Sequence, residues 1–152
     1  MRYRRSRVWG IWILVCVLAV TASKPLAVLG ATKTVSSITI RVGTDTKAGE
    51  RLNENIAIYS NTISAQNGTY AATSSERYYL QNAEWTSSTK KAMAVGEEPR
   101  MKLYLEIEDT DYAFRGSYSS SNIIVKGGTF MSARRSTSGK LEVTVRLNGI
   151  KG

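Results

Sequence analysis

An all-β fold is predicted by three features of this 152-residue sequence. Apolar and polar residues alternate with period two in its longest patterned runs. Short β-prone runs recur between turn-forming residues. No segment after residue 31 carries a helical apolar stripe. Successive strand side chains point to opposite faces, so period-two alternation marks a strand with one buried and one wet face. Half-wet strands of this kind belong to antiparallel sheets rather than to helix-covered parallel ones.

Residues 1–31 stand apart from the rest. Arg2, Arg4, Arg5 and Arg7 precede a 16-residue uncharged run, Val8–Ser23, which Lys24-Pro25 stops. The small-residue segment Ala27-Val28-Leu29-Gly30-Ala31 follows. A basic head, a short apolar middle and a small-residue tail describe a secretory signal peptide. A bilayer-spanning helix needs roughly 20 apolar residues, so this run is short for a membrane span. A retained N-terminal anchor is the alternative reading. Cleavage is expected after Gly30 or Ala31, with Ala22 as the other site; Pro25 favours the later cut because it ends the helix and leaves an extended segment. Cys16 lies inside the apolar run and reads as a small apolar residue lost with the signal. Arg4-Arg5 is a weak twin-arginine pattern, and Arg7-Val8 stands where that motif wants large apolar residues, so general secretion is the reading taken.

The strands follow in order. Ile38, Ile40 and Val42 alternate with Thr39 and Arg41. Asn55–Ser60 offers Ile56 and Ile58. Residues 61–76, rich in Ser, Thr, Asn, Ala and Gly, read as a long loop. Tyr78–Leu80 is a short β-prone piece leading towards Trp85, whose ring is expected in or beside the core. Residues 87–98, with Lys90-Lys91 and Glu97-Glu98-Pro99, read as a second long loop. Met101, Leu103, Leu105 and Ile107 alternate with Lys102, Tyr104, Glu106 and Glu108. Tyr112–Arg115 supplies Tyr112 and Phe114. Ile123–Lys126 and Thr129–Ala133 flank Gly127-Gly128, a pair that reads as a hairpin turn between two strands. Ser136–Gly139 is a tight connection into Leu141, Val143, Val145 and Leu147, which alternate with Glu142, Thr144 and Arg146. About seven short strands in some 120 residues predict an immunoglobulin-like antiparallel β-sandwich over 32–152, following the signal helix. The Cys-Trp-Cys hallmark of antibody domains is absent, so the likeness concerns architecture alone.

Composition bounds the chemistry. Five of the 21 basic residues and none of the 12 acidic ones lie in 1–31, which leaves 16 against 12 and a net charge of +4 rather than +9. Without a basic cluster on one face, nucleic acid is not an expected partner. The one Cys lies in the signal segment, so no disulfide staples residues 32–152, and the chain has no His. That excludes His-based metal sites and the usual Ser-His-acid and Cys-His pairings. No phosphate loop, paired-thiol motif or nucleotide fingerprint is present, and no cofactor is expected. Asn67-Gly68-Thr69 matches a glycosylation sequon, of consequence only in a eukaryotic secretory pathway.

Trp85, Glu98-Pro99-Arg100-Met101-Lys102-Leu103-Tyr104-Leu105-Glu106-Ile107, Asp111-Tyr112-Ala113-Phe114, Val125-Lys126-Gly127-Gly128 and Leu141–Leu147 form an order that resembles N-terminal β-sandwich modules of exported Firmicutes surface proteins. Some of those proteins carry choline-binding-type cell-wall repeats, which are absent here. The signal pattern Arg7-Val8-Trp9-Gly10-Ile11-Trp12 through Pro25–Leu29 is similar to theirs. The absence of Cys from the exported part also suits a Gram-positive source. The resemblance implies a non-catalytic module and supplies no active-site residues; the chain is read either as the N-terminal part of a longer protein or as a short exported version.

Three groups are candidates for binding. Tyr79 and Trp85, with Tyr70 and Tyr78, offer aromatic rings of the kind that suit sugars and protein surfaces; core packing is the plainer alternative. Arg134 and Arg135, like Lys90-Lys91, are basic pairs in expected turns and suit anionic wall polymers. Glu106, Glu108, Asp109 and Asp111 are the densest acidic group. Their oxygens suit Ca²⁺, and Glu106 and Glu108 on one strand face stand about 7 Å apart, a spacing compatible with glycosidase carboxylates; a solvated strand edge is the plainer alternative. The expected role is a secreted or cell-surface spacer or recognition domain for a wall glycan or protein partner, touching membrane only through the N-terminal segment. The alternatives are a membrane-tethered extracellular domain and a small secreted glycan-active enzyme.

Overall fold

The computed structural model describes residues 32–152; the expected signal segment, Cys16 and the expected cleavage positions lie outside the described residues. Ten strands and no helix are found there: β1 (Lys33–Val35), β2 (Ile38–Gly43), β3 (Ala57–Tyr59), β4 (Tyr70–Ala72), β5 (Tyr78–Trp85), β6 (Arg100–Ile107), β7 (Tyr112–Phe114), β8 (Ile123–Lys126), β9 (Gly128–Thr137) and β10 (Lys140–Leu147). Among the described residues no helix is long and apolar enough to cross a membrane. Thr34–Gly152 forms one compact unit.

The three alternating runs form strands with the expected faces. In β2, Ile38, Ile40 and Val42 are buried; in β6, Met101, Leu103 and Leu105; in β10, Leu141, Val143, Val145 and Leu147. The register matches these sets across strands: Leu105 faces Leu80 and Leu141, Leu103 faces Val143, and Met101 faces Val145. The sheet β5-β6-β10-β9 is antiparallel throughout. Its inward residues share one apolar core with Ile38, Ile40, Val42, Ala71 and Ile123 of the sheet β3-β4-β2-β8 and with Val35 and Phe114 of the β1-β7 pair. Each fully buried Leu, Val, Ile or Phe contributes roughly 1.5–3 kcal/mol, so this core carries the stability of a domain without disulfides.

The second sheet departs from the antiparallel expectation. β2 and β4 are antiparallel, but β3 runs parallel to β4 and β2 parallel to β8. Parallel neighbours need a crossover connection. Residues 60–69 make one between β3 and β4, and the Arg41 Nε donates to the Ile63 carbonyl at 2.6 Å, tying that connection to an outward residue of β2. β8 reaches β2 only after the chain has built two strands of the other sheet. Alternation reports that one face of a strand is covered; it does not report the direction of the neighbour.

Two further expectations are corrected. Residues 61–76 contain β4, whose three residues are all buried. Ala71 and Ala72 carry little apolar signal, and Tyr70 fits because Gly43 opposite it lacks a Cβ, which would lie 2.6 Å from the Tyr70 ring. Gly127-Gly128 is not a hairpin turn. β8 belongs to one sheet and β9 to the other, so the pair carries the chain between sheets. Gly127 has φ of 85°, and a Cβ there would lie 2.1 Å from the Val42 carbonyl oxygen; one on Gly128 would lie 2.4 Å from the Arg146 carbonyl oxygen. Each glycine is pressed against the backbone of a different sheet. The connection Ser138-Gly139 between β9 and β10 is the tight hairpin expected.

Residues 86–99 hold no strand, yet they are anchored. Met93 packs with Leu52 and Ile150 in a satellite cluster. Its N–H donates to the Glu50 carbonyl and its carbonyl accepts from the Gly49 N–H, both at 2.8 Å. Trp85 is half-buried, packs against both the main core and this cluster, and donates from Nε1 to the Asn53 carbonyl at 2.7 Å. On the edge of β5, the Ser60 hydroxyl accepts from the Leu80 N–H at 2.8 Å and donates to the Leu80 carbonyl at 3.2 Å. One side chain thereby satisfies both free backbone groups of an edge residue.

Candidate surface for recognition

The outward face of the sheet β5-β6-β10-β9 is the candidate surface. Alternation sends Lys102, Tyr104 and Glu106 outward from β6, and Glu142 and Thr144 outward from β10, all only partly exposed because neighbouring side chains cover them. The register sets them in cross-strand rows: Tyr79, Glu106 and Lys140 in one, Asn82, Tyr104, Glu142 and Arg134 in the next, and Glu84, Lys102, Thr144 and Ser132 in a third. Tyr79 and Tyr104 are thus in neighbouring rows on adjacent strands, within reach for large side chains.

Both phenols on this face are held by carboxylates. The Tyr79 hydroxyl donates to Glu106 Oε1 at 2.8 Å, and the Tyr104 hydroxyl donates to Glu84 Oε2 in a short hydrogen bond. Those bonds raise both phenol pKa values, with the carboxylate acceptor as the first cause in each; Tyr104 is pushed up to about 12. Both therefore remain protonated donors near neutral pH. Glu142 pairs with Arg134 Nη2 at 2.9 Å and with Lys102 Nζ at 3.7 Å. Exposed ion pairs contribute little to stability, about 0–1 kcal/mol, but here they fix the direction of three long side chains. Gln81, Tyr104, Glu106, Ser136, Lys140 and Glu142 line a shallow depression of about 180 Å³ on this sheet.

The structure separates the four aromatic residues that the sequence offered as one group. β5 has a register shift between Leu80 and Asn82. Tyr78 and Leu80 point inward and Tyr79 outward; beyond the extra residue Gln81, Ala83 and Trp85 pack against the core, and Trp85 faces the buried Met101. Without this bulge, Tyr79 and Trp85 would share a face. Tyr70 is buried, with its ring edge-on to Tyr59 at 6.4 Å. Tyr78 is buried beside Phe114, its hydroxyl accepts from the Thr39 N–H at 3.2 Å, and burial raises its pKa. Of the four, Tyr79 alone lies on the outward face. Tyr104, Glu84 and Glu142 belong to the surface but were not singled out by sequence; Tyr104 and Glu142 stand in the polar half of alternating runs, whereas Glu84 follows the bulge and carried no such signal.

The basic pair is divided as well. Arg134 and Arg135 lie within β9 rather than in a turn, so their side chains diverge. Arg134 joins Glu142, whereas Arg135 Nη1 donates to the Phe114 carbonyl at 3.2 Å. Lys90-Lys91 does lie in an exposed loop, with Lys90 3.9 Å from Glu54. In the acidic group, Glu106 ends in the hydrogen bond from Tyr79, while Asp109 Oδ1 accepts from the Asp111 N–H at 2.9 Å in the turn before β7. Among the described residues no three His, Cys, Asp or Glu side chains converge on a point that could hold a metal ion.

Comparison of the chain with models of protein families, with curated proteins and with solved structures returns no match.

Proposed function

We propose that this chain is an exported, non-catalytic surface module with an immunoglobulin-like sandwich architecture, and that the outward face of β5-β6-β10-β9 recognises a wall glycan. Residues 1–31 act as a cleaved signal in this reading, and 32–152 work outside the cell, at or near a Gram-positive surface. The observation that carries the recognition role is the pair Tyr79 and Tyr104, each with its hydroxyl fixed by a carboxylate beside a shallow polar depression. Rings with fixed polar tips offer a sugar an apolar contact and directional hydrogen bonds together. Gln81 and Lys140 add donors at the rim. The absence of His from the sequence supports a role without acid-base chemistry of the usual kind.

The test is co-sedimentation with insoluble peptidoglycan. The parent protein is expected to sediment with the glycan. Tyr79→Ala combined with Tyr104→Ala is expected to abolish this, while Trp85→Phe, a change on the opposite face, retains it. A parent that stays in the supernatant, or a double variant that sediments unchanged, overturns the glycan reading.

A further inference from the structure

Neighbouring arginines on β9 meet opposite electrostatic fates. Arg134 is neutralised by Glu142. Arg135 is held by a neutral group, the Phe114 carbonyl, at 3.2 Å. The residue after Phe114 is Arg115, whose guanidinium carbon lies 5.9 Å from the centre of the Tyr118 ring. Tyr118 braces Arg115: its hydroxyl donates to the Val35 carbonyl at 2.7 Å and accepts from the Arg115 N–H at 2.9 Å. Burial raises the Tyr118 pKa, so the hydroxyl stays protonated in both of these bonds near neutral pH.

Both arginines are exposed, and among the described residues neither has a carboxylate partner within ion-pair distance. One cation rests on a π face and the other on a carbonyl, and neither contact neutralises a charge. A guanidinium is a planar fork of donors that matches phosphate oxygens in pairs, is always charged, and is weakly hydrated. We propose that Arg115 and Arg135, brought together at the Phe114–Arg115 peptide, bind the phosphate oxyanions of an anionic polymer, at a place separate from the tyrosine-bearing sheet face.

The experiment is calorimetric titration of the full chain with inorganic polyphosphate at low salt, and again in competition with orthophosphate. Saturable binding of the polymer is expected, weakening as salt rises. Arg115→Gln with Arg135→Gln is expected to weaken it at least about tenfold. Lys90→Gln with Lys91→Gln removes the same two charges elsewhere, and Arg134→Gln removes the paired neighbour; both are expected to stay within about threefold of the parent. If the glutamine pair does not fold, Arg115→Lys with Arg135→Lys keeps the charge, loses the fork, and is expected to bind more weakly than the parent. No saturable binding by the parent overturns the proposal. Equal loss in the Lys90/Lys91 variant, which would mark a response to net charge alone, also overturns it. Orthophosphate competing equally at the same phosphorus concentration overturns the assignment to a polymer.

Discussion

Gly127 gives the sharpest test of the fold, because the hairpin read from sequence and the crossing found in the structure demand opposite tolerances. In a two-residue hairpin with left-handed backbone, Asn replaces Gly at little cost. In the crossing, two costs add. A residue with a Cβ at φ of 85° loses about 1–2 kcal/mol. A Cβ 2.1 Å from the Val42 carbonyl oxygen must then force β2 and the β8–β9 junction apart by more than 1 Å to reach ordinary contact. Displacing backbone in a packed core costs about 1–3 kcal/mol more. Gly127→Ala and Gly127→Asn are therefore expected to lose about 3 kcal/mol or more, against the roughly 5–15 kcal/mol that stabilises a domain. Equilibrium urea unfolding followed by far-ultraviolet dichroism measures the loss. Two controls separate the terms. Gly68 has φ of 80° with open space around it, so Gly68→Ala carries the backbone cost alone, about 1 kcal/mol. Gly139→Ala, which meets nothing nearer than the Thr137 hydroxyl at 4.0 Å, is expected within about 0.5 kcal/mol of the parent. If Gly127→Asn proves no worse than Gly68→Ala, the sheet crossing is refuted.

Two other consequences can be measured. Ser60→Ala removes the hydroxyl that satisfies both backbone groups of Leu80; it is expected to cost about 1–2 kcal/mol in the same unfolding assay and to speed hydrogen exchange at the Leu80 amide, and an unchanged Leu80 exchange rate would show that the staple does not form. Tyr104 keeps its proton until about pH 12 in the folded protein against a usual phenol value of 10.0. A raised pKa means its stabilising bond is fully present below pH 10 and is lost as pH climbs through the folded value. Phenolate absorbance should therefore show Tyr104→Phe deleting a late-titrating group and Glu84→Gln shifting that group earlier; a Tyr104 that ionises with an ordinary tyrosine would dismiss the carboxylate contact.

The strand faces were legible in the sequence because alternation is a local property. Ile38-Thr39-Ile40, Met101–Leu105 and Leu141–Leu147 each declare an inward and an outward side within a few residues, and each is buried as declared. Local patterning does not count residues across a bulge, however. The extra residue at Gln81 reverses the parity of β5 and turns Trp85 to the core while Tyr79 faces outward. Nor does it register a strand built of small residues: Tyr70–Ala72 sits between β3 and β2 with almost no apolar signature, its fit set by Gly43 on a strand far away in sequence.

By itself the sequence determined that the described chain is β-structured, which side chains of β2, β6 and β10 line its core, and that neither disulfides nor histidine chemistry operate in residues 32–152. The tertiary structure alone decided that one sheet is mixed, that Gly127-Gly128 passes between sheets, and that Arg134 and Arg135 part company. The first set follows from interactions between near neighbours. The second depends on which distant backbone lies within a few ångströms, and steric exclusion of a Cβ by a carbonyl brought close only by folding leaves no mark in the residues on either side.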